Sequence, residues 1–156
     1  MSLTTGQLRE VLGLSQDAYR HWKVALPPLA ERQGRRARYS HGDLLALAII
    51  KSLTEKFSVP VGSLVPVSGD IFDACGRQSW ARLERSTALI FPEKWELQIA
   101  PENQPLPIGR PMFSVPCGPI IADLRSALMI DLIDDPQSSL RFPLAAVVAD
   151  RGRASK

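Results

Sequence analysis

Residues Thr4 to Lys23 read "TTGQLREVLGLSQDAYRHWK", and the punctuation of this stretch decides the fold of the first third. Thr4 followed by Gln7 has the spacing of a capping box, which predicts a short helix starting after Thr4. Leu8, Val11 and Leu12 recur at helical spacing and form its inward stripe. Gly13 can end that helix in the left-handed conformation, and Leu14 plugs the space before the next one. Ser15 is a good N-cap for a second helix, "QDAYRHWKVAL". Ala18 and Trp22 lie four apart and face inward, whereas Gln16, Asp17, Arg20, His21 and Lys23 face out. Two short helices joined by Gly-Leu-Ser make a helix-turn-helix, whose second helix enters the DNA major groove in proteins that use it for recognition.

The following stretch, "ALPPLAERQGRRARYS", carries the densest positive charge of the chain. Pro27 and Pro28 are expected to stop the second helix and impose extended backbone. Gly34 is placed to turn a small hairpin, or wing. Ser40 and Asp43 then cap a third helix, with Leu44, Leu47, Ile50 and Leu53 inward and Lys51, Glu55 and Lys56 solvated. Arg32, Arg35, Arg36 and Arg38 therefore fall between a recognition helix and a core helix. Arginine suits phosphate because its planar fork donates two bonds at fixed geometry and stays charged.

Charge over the whole chain points the same way. The 156 residues are 45% hydrophobic and 22% charged, ordinary for one folded domain or two small ones. Through Ser58 there are nine Lys/Arg against five Asp/Glu, a net of +4. The remainder has ten against eleven, so the entire basic excess lies in the first third. A localised basic face fits a polyanionic partner.

The order "TTGQLREVLGLSQDAYRHWK", "PPL", "GRRARYSHGDLLALAIIKSL" resembles the DNA-binding domain of MerR-type winged helix-turn-helix regulators, over about residues 3 to 65. The related excisionases share this small domain. The resemblance implies double-stranded DNA as partner. It makes Ser15 to Lys23 the recognition helix, with Ser15, Gln16, Asp17, Tyr19, Arg20, His21 and Lys23 on the DNA side. Arg20 becomes the base- or phosphate-contacting arginine. Arg32, Arg35, Arg36, Arg38 and Tyr39 form the wing. Ala37 departs from the family pattern, which often has an arginine there, and Arg36 and Arg38 flank it. A larger departure follows, because Pro60, Gly62, Pro66 and Gly69 forbid the long dimerisation helix of typical members.

In place of that helix, a short helix is expected around Gly62 to Val65. Another should begin after Ser68, with Ile71, Phe72 and Ala74 inside, and "RQSWARLER" adds a turn or two. "TALIF" and "KWELQIA", separated by "PEK", read as a hairpin, with Trp95, Leu97 and Ile99 on a buried face. "MFSV" suggests a third strand after a proline-rich loop. "PIIADLRSALMIDLIDD" reads as a long helix opening at Pro119 with Ile121, Leu124, Leu128 and Leu132 on one stripe, widened by Ile120, Ala127 and Ile130. "LRFPLAAVVA" suggests a last strand and "DRGRASK" a frayed tail.

The expected fold class is α+β. A winged helix-turn-helix spans 1–65, a helical connector 66–86, a small α+β dimerisation unit 87–150, and a flexible tail 151–156. The wide apolar face of the long helix suggests a homodimer, and paired recognition helices would read paired half-sites.

Enzymatic chemistry finds little support. His21 and His41 have no nucleophile or carboxylate arranged around them, no zinc spacing or phosphate-cradling glycine loop is present, and no metal or cofactor is expected. Asp131, Asp134 and Asp135 read as a solvated helix end. Cys75 and Cys117 read as reduced, buried thiols in a cytoplasmic protein, with no signal peptide and no apolar run long enough for a membrane span. The leading function is a sequence-specific transcription regulator. The alternative is an excisionase-like or phage packaging factor using the same domain. A sensor with Phe91, Trp95 and Phe113 around a small-molecule effector ranks third.

Overall fold

The computed structural model describes residues 2–134 apart from 33, 35 and 36, with side chains as far as 129. The capping chemistry of the first stretch is all present. Helix α1 (Thr5–Leu12) opens on a capping box in which the Gln7 N–H donates to Thr4 Oγ and the Thr4 N–H donates to Gln7 Oε1, at 3.3 and 3.0 Å. It closes on Gly13, whose φ of 61° is left-handed, and the Leu14 N–H returns to the Arg9 carbonyl. Helix α2 (Gln16–Ala25) starts three residues later, with Ser15 Oγ accepting the Ala18 N–H at 3.1 Å.

Pro27 and Pro28 depart from expectation. The extended residue is Leu26, and the prolines occupy the first turn of a short helix α3 (Pro27–Ala30). That turn needs no N–H from them, so proline is compatible with it. Helix α4 (His41–Lys56) opens on the Ser40/Asp43 capping box and is buried almost throughout, from Gly42 to Ile50.

After a 3₁₀ turn at Val61–Leu64, helix α5 runs Val65–Arg77. It starts before Ser68, contrary to the expected break. Pro66 lies in its first turn, Gly69 is carried on an exposed face, and Ser68 Oγ donates back to the Val65 carbonyl at 2.8 Å. The helix crosses α4 where both lack side chains. A Cβ on Gly42 would lie 2.7 Å from the Cys75 carbonyl oxygen and 2.8 Å from Gly76 Cα. Helix α6 (Trp80–Leu83) is tied to the start of α4 by Trp80 Nε1, which donates to the His41 carbonyl at 3.1 Å.

Strands β1 (Ser86–Phe91), β2 (Glu96–Pro101) and β3 (Phe113–Pro116) form an antiparallel sheet in the order β2-β1-β3. Ala88 pairs with Ile99 on one side and Val115 on the other. The central strand is buried on both faces. Ala88 and Ile90 join the main core, while Leu89 and Phe91 pack with Ala100 and Met112 on the far side. Trp95, Leu97 and Ile99 are only half-buried, because β2 is an edge strand. Phe91 lies on the opposite face from Trp95 and Phe113, so these three aromatics do not line one pocket.

Helix α7 (Cys117–Asp134) begins two residues before Pro119. Its stripe Ile121, Leu124 and Leu128 is buried within the chain, and α7 packs against α1, α4, α6 and β1. One hydrophobic cluster therefore runs from Leu3 to Leu128 and joins the expected DNA-binding and dimerisation units. The described stripe of α7 is covered by the chain itself, while Ile120 and Ala127, which widen its apolar face, are half-buried. Ile130, Asp131 and Leu132 have side chains outside the described ones, and Asp135, the last expected strand and the tail lie outside the described residues.

Both cysteines are free and buried. Burial, then the neighbouring Cys117 and Asp43 charges, push the Cys75 thiol from its ordinary 9.0 up to about 12. Burial also raises Cys117. The unfolded chain thus loses these protons first. The stabilisation is fully present below about pH 9 and is lost as pH rises towards 12. Urea titrations between pH 8 and 11 should show stability falling by up to about 1.4 kcal/mol per pH unit for each buried thiol. Cys75→Ala should make that slope shallower, and an unaltered slope would show that Cys75 does not carry it.

Candidate nucleic-acid interface

Helix α2 divides cleanly into two faces. Tyr19 and Trp22 are buried, with Ala18 packed against the same core. Gln16, Asp17, Arg20 and His21 are exposed, and Lys23 is half-buried. Ser15 is exposed too, but its hydroxyl is occupied as the helix cap. Arg20 lies 3.8 Å from Asp17, one turn earlier. Both side chains are largely solvated, so this pair holds Arg20 weakly and leaves it available to a stronger anion.

The basic segment separates into structural and free arginines. Arg32 is a clasp. Its Nη2 donates to Asp43 Oδ1 at 2.6 Å, its Nη1 donates to the Arg38 carbonyl at 2.8 Å, and its guanidinium lies 5.5 Å from the centre of the Tyr39 ring. Asp43 is buried, and its other oxygen accepts the Ser40 N–H and hydroxyl at 2.7 and 2.9 Å. Arg32 thus fastens the segment to the N-terminus of α4 and is not free to serve as a wing contact. Arg38 is exposed. Arg35 and Arg36 lie outside the described residues.

Tyr19 and Tyr39 also differ from expectation. Both are buried, and their hydroxyls hydrogen-bond to each other. Burial and then that bond push the Tyr19 hydroxyl up to about 12. Their side chains brace α2 against the end of the basic segment instead of facing a ligand. The backbone of Tyr39 pairs with Leu3, in both directions, at 2.8 and 2.9 Å. Tyr39 therefore ends the segment on the N-terminal residues of the chain. Within the segment, the Ala37 N–H donates to the Gly34 carbonyl at 3.3 Å, and Gly34 has a φ of 102°. A side chain at that φ would be strained, which accounts for glycine at this turn.

These braces bring α2 and the basic segment onto one surface. Arg20, Lys23 and Val24 from α2, Ala30 from α3, and Gly34 from the turn line a single open depression. No family model, curated protein or solved structure matches this chain. The geometry alone therefore carries the functional reading.

The depression is shallow and its exposed wall is mainly apolar; two of its lining residues, Arg20 and Lys23, are cationic, and none of the described ones is acidic. Such a surface can meet an extended anion through Arg20 and Lys23. Among the described residues, no group of three His, Cys, Asp or Glu side chains could hold a metal ion. Among the described residues, no helix is long and apolar enough to cross a membrane. The sequence reading missed Val24, which is 86% exposed and lies one turn beyond Arg20 on the same face. Its signal was visible: Val24 falls off the Tyr19, Trp22, Leu26 stripe, on a helical face that is otherwise polar.

Proposed function

We propose that this chain is a sequence-specific, double-stranded DNA-binding transcription regulator of the winged helix-turn-helix type. Helix α2 enters the major groove and the Arg38 end of the basic segment meets the backbone. The observation that carries this reading is the shared depression, which puts Arg20 and Lys23 beside Gly34 of the basic segment. Arg20 and Lys23, beside a segment whose sequence is rich in arginine, would offer base-edge and phosphate contacts from neighbouring elements. The short Gly13–Ser15 connection between α1 and α2 supports the same reading.

Selection of bound duplexes from a random pool tests it. One enriched motif, competing well against bulk DNA, is the expected result. Binding spread over all sequences would instead support a packaging role, and failure to retain any duplex would remove the proposal. Arg20 is the expected reader, because it is exposed and long and its only described ion pair is the weak one with Asp17. Arg20→Ala should relax preference at one base pair by about 1–3 kcal/mol. An undiminished ratio of specific to non-specific binding would exclude Arg20 as a reader. A dimer on paired half-sites remains part of the proposal, and the mass of the complex on the selected duplex reports it.

A further inference from the structure

Val24 has no structural reason to be apolar. It is 86% exposed, and among the described residues of 2–56 no other large apolar side chain is exposed. It sits four residues after Arg20, so the two share a helical face. Arg20, Lys23, Ala30 and Gly34 line the same depression. A Cβ on Gly34 would meet nothing within 4 Å, so the glycine side is open. The surface is thus a mainly apolar depression at Val24, with two cations and two small residues along it.

An occupant must then be anionic and must also offer a small apolar protrusion. A second copy of this chain fits poorly, because a twofold contact through Val24 would bring Arg20 and Lys23 of both copies together. Duplex DNA fits both demands. Its phosphates match the cations, and in the major groove the C5-methyl of thymine is the apolar group on a base edge.

We infer that Val24 is a specificity-determining residue that recognises the 5-methyl group of a thymine in the bound duplex. The inference rests on the DNA-binding reading and deepens it. Arg20 supplies polar readout and Val24 supplies a methyl contact one helical turn away, so the two read neighbouring positions of the site. Exposure makes Val24 dispensable for folding.

The test uses the duplex selected by the intact chain, with each thymine replaced in turn by deoxyuridine. That change removes one methyl group and leaves every hydrogen-bonding edge intact. The intact chain should lose about three- to fivefold in affinity at one thymine, the scale of one buried methyl. Val24→Ala should bind the unmodified duplex more weakly by a similar factor and be indifferent to deoxyuridine at that position. If no replacement weakens the intact chain, or if Val24→Ala keeps the same sensitivity, the inference is overturned while DNA binding stands. If the intact chain retains no duplex at all, the DNA-binding reading fails and takes this one with it. A change in oligomeric state with Val24→Ala, and none in deoxyuridine sensitivity, would assign the patch to a protein contact instead.

Discussion

Replacing Asp43 by alanine should lower the stability of the protein by about 2–3 kcal/mol in urea denaturation. Three losses combine. The carboxylate receives Arg32 at 2.6 Å and two bonds from Ser40, at 2.7 and 2.9 Å. Removing it abolishes half of the capping box on α4, worth about 1 kcal/mol alone. It also strips the buried end of a charge-assisted bond. Arg32 is 36% exposed against 8% for Asp43, so the freed guanidinium regains some water, which favours the lower end of the range. Arg32→Ala should cost less, because Asp43 then keeps its bonds to Ser40 and its place in the cap. This ordering is the critical result. A loss under about 1 kcal/mol for Asp43→Ala would show that the clasp does not hold the segment, and equal losses would assign the whole effect to the Arg32–Asp43 bond and none to the cap.

That clasp also marks the limit of what the sequence could reveal. The helix starts at Thr4, Ser15 and Ser40 were legible because each cap joins groups three residues apart. Local chemistry of that kind does not depend on the rest of the fold. Tyr19 and Tyr39 are twenty residues apart, and Arg32 and Asp43 eleven, so their partnerships exist only after the chain has closed. Counted along the sequence, Arg32 is one more arginine in a basic run. In the fold it is an anchor. The same reasoning explains α5, where Pro66 and Gly69 were read as breakers. Proline costs nothing in a first helical turn, and tertiary packing of Val67, Ile71, Phe72 and Cys75 outweighs the propensity cost of Gly69, about 1 kcal/mol.

The strands were legible because "TALIF" is a short, mostly apolar run that includes β-branched Thr87 and Ile90 and aromatic Phe91, and the structure makes it the central strand, buried on both faces. The sequence could not show that α7 returns across the molecule to α1 and α4. Judged within its own half, its apolar face looked too wide, which suggested a missing subunit. Placed on the first half, the stripe Ile121, Leu124 and Leu128 is already satisfied. Buried residues of the first and second halves belong to one hydrophobic cluster. Damage to α7 should reach α2 through the common core.

The largest expected effect on binding comes from removing Arg35, Arg36 and Arg38 together. The proposal assigns these side chains to phosphates, with Arg32 excluded because Asp43 already holds it. Replacing the three by alanine keeps the clasp, the Tyr19–Tyr39 bond and the Leu3–Tyr39 pairing, and a urea denaturation of the variant separates any loss of fold from a loss of binding. Each phosphate contact releases condensed counterions, so each one lost should flatten the dependence of log affinity on log salt by about 0.9. Three contacts give a change in slope of roughly 2.7, and the loss should be similar for selected and random duplexes. Arg20→Ala provides the contrast, because it should alter the ratio between those duplexes while changing the slope by at most about one contact. The pair of variants separates reading from anchoring. A triple variant that keeps the parental salt slope would show that the basic segment does not touch the backbone. The positive charge of the first third would then need another partner, and the shared depression between α2 and Gly34 would lose its explanation as a DNA surface.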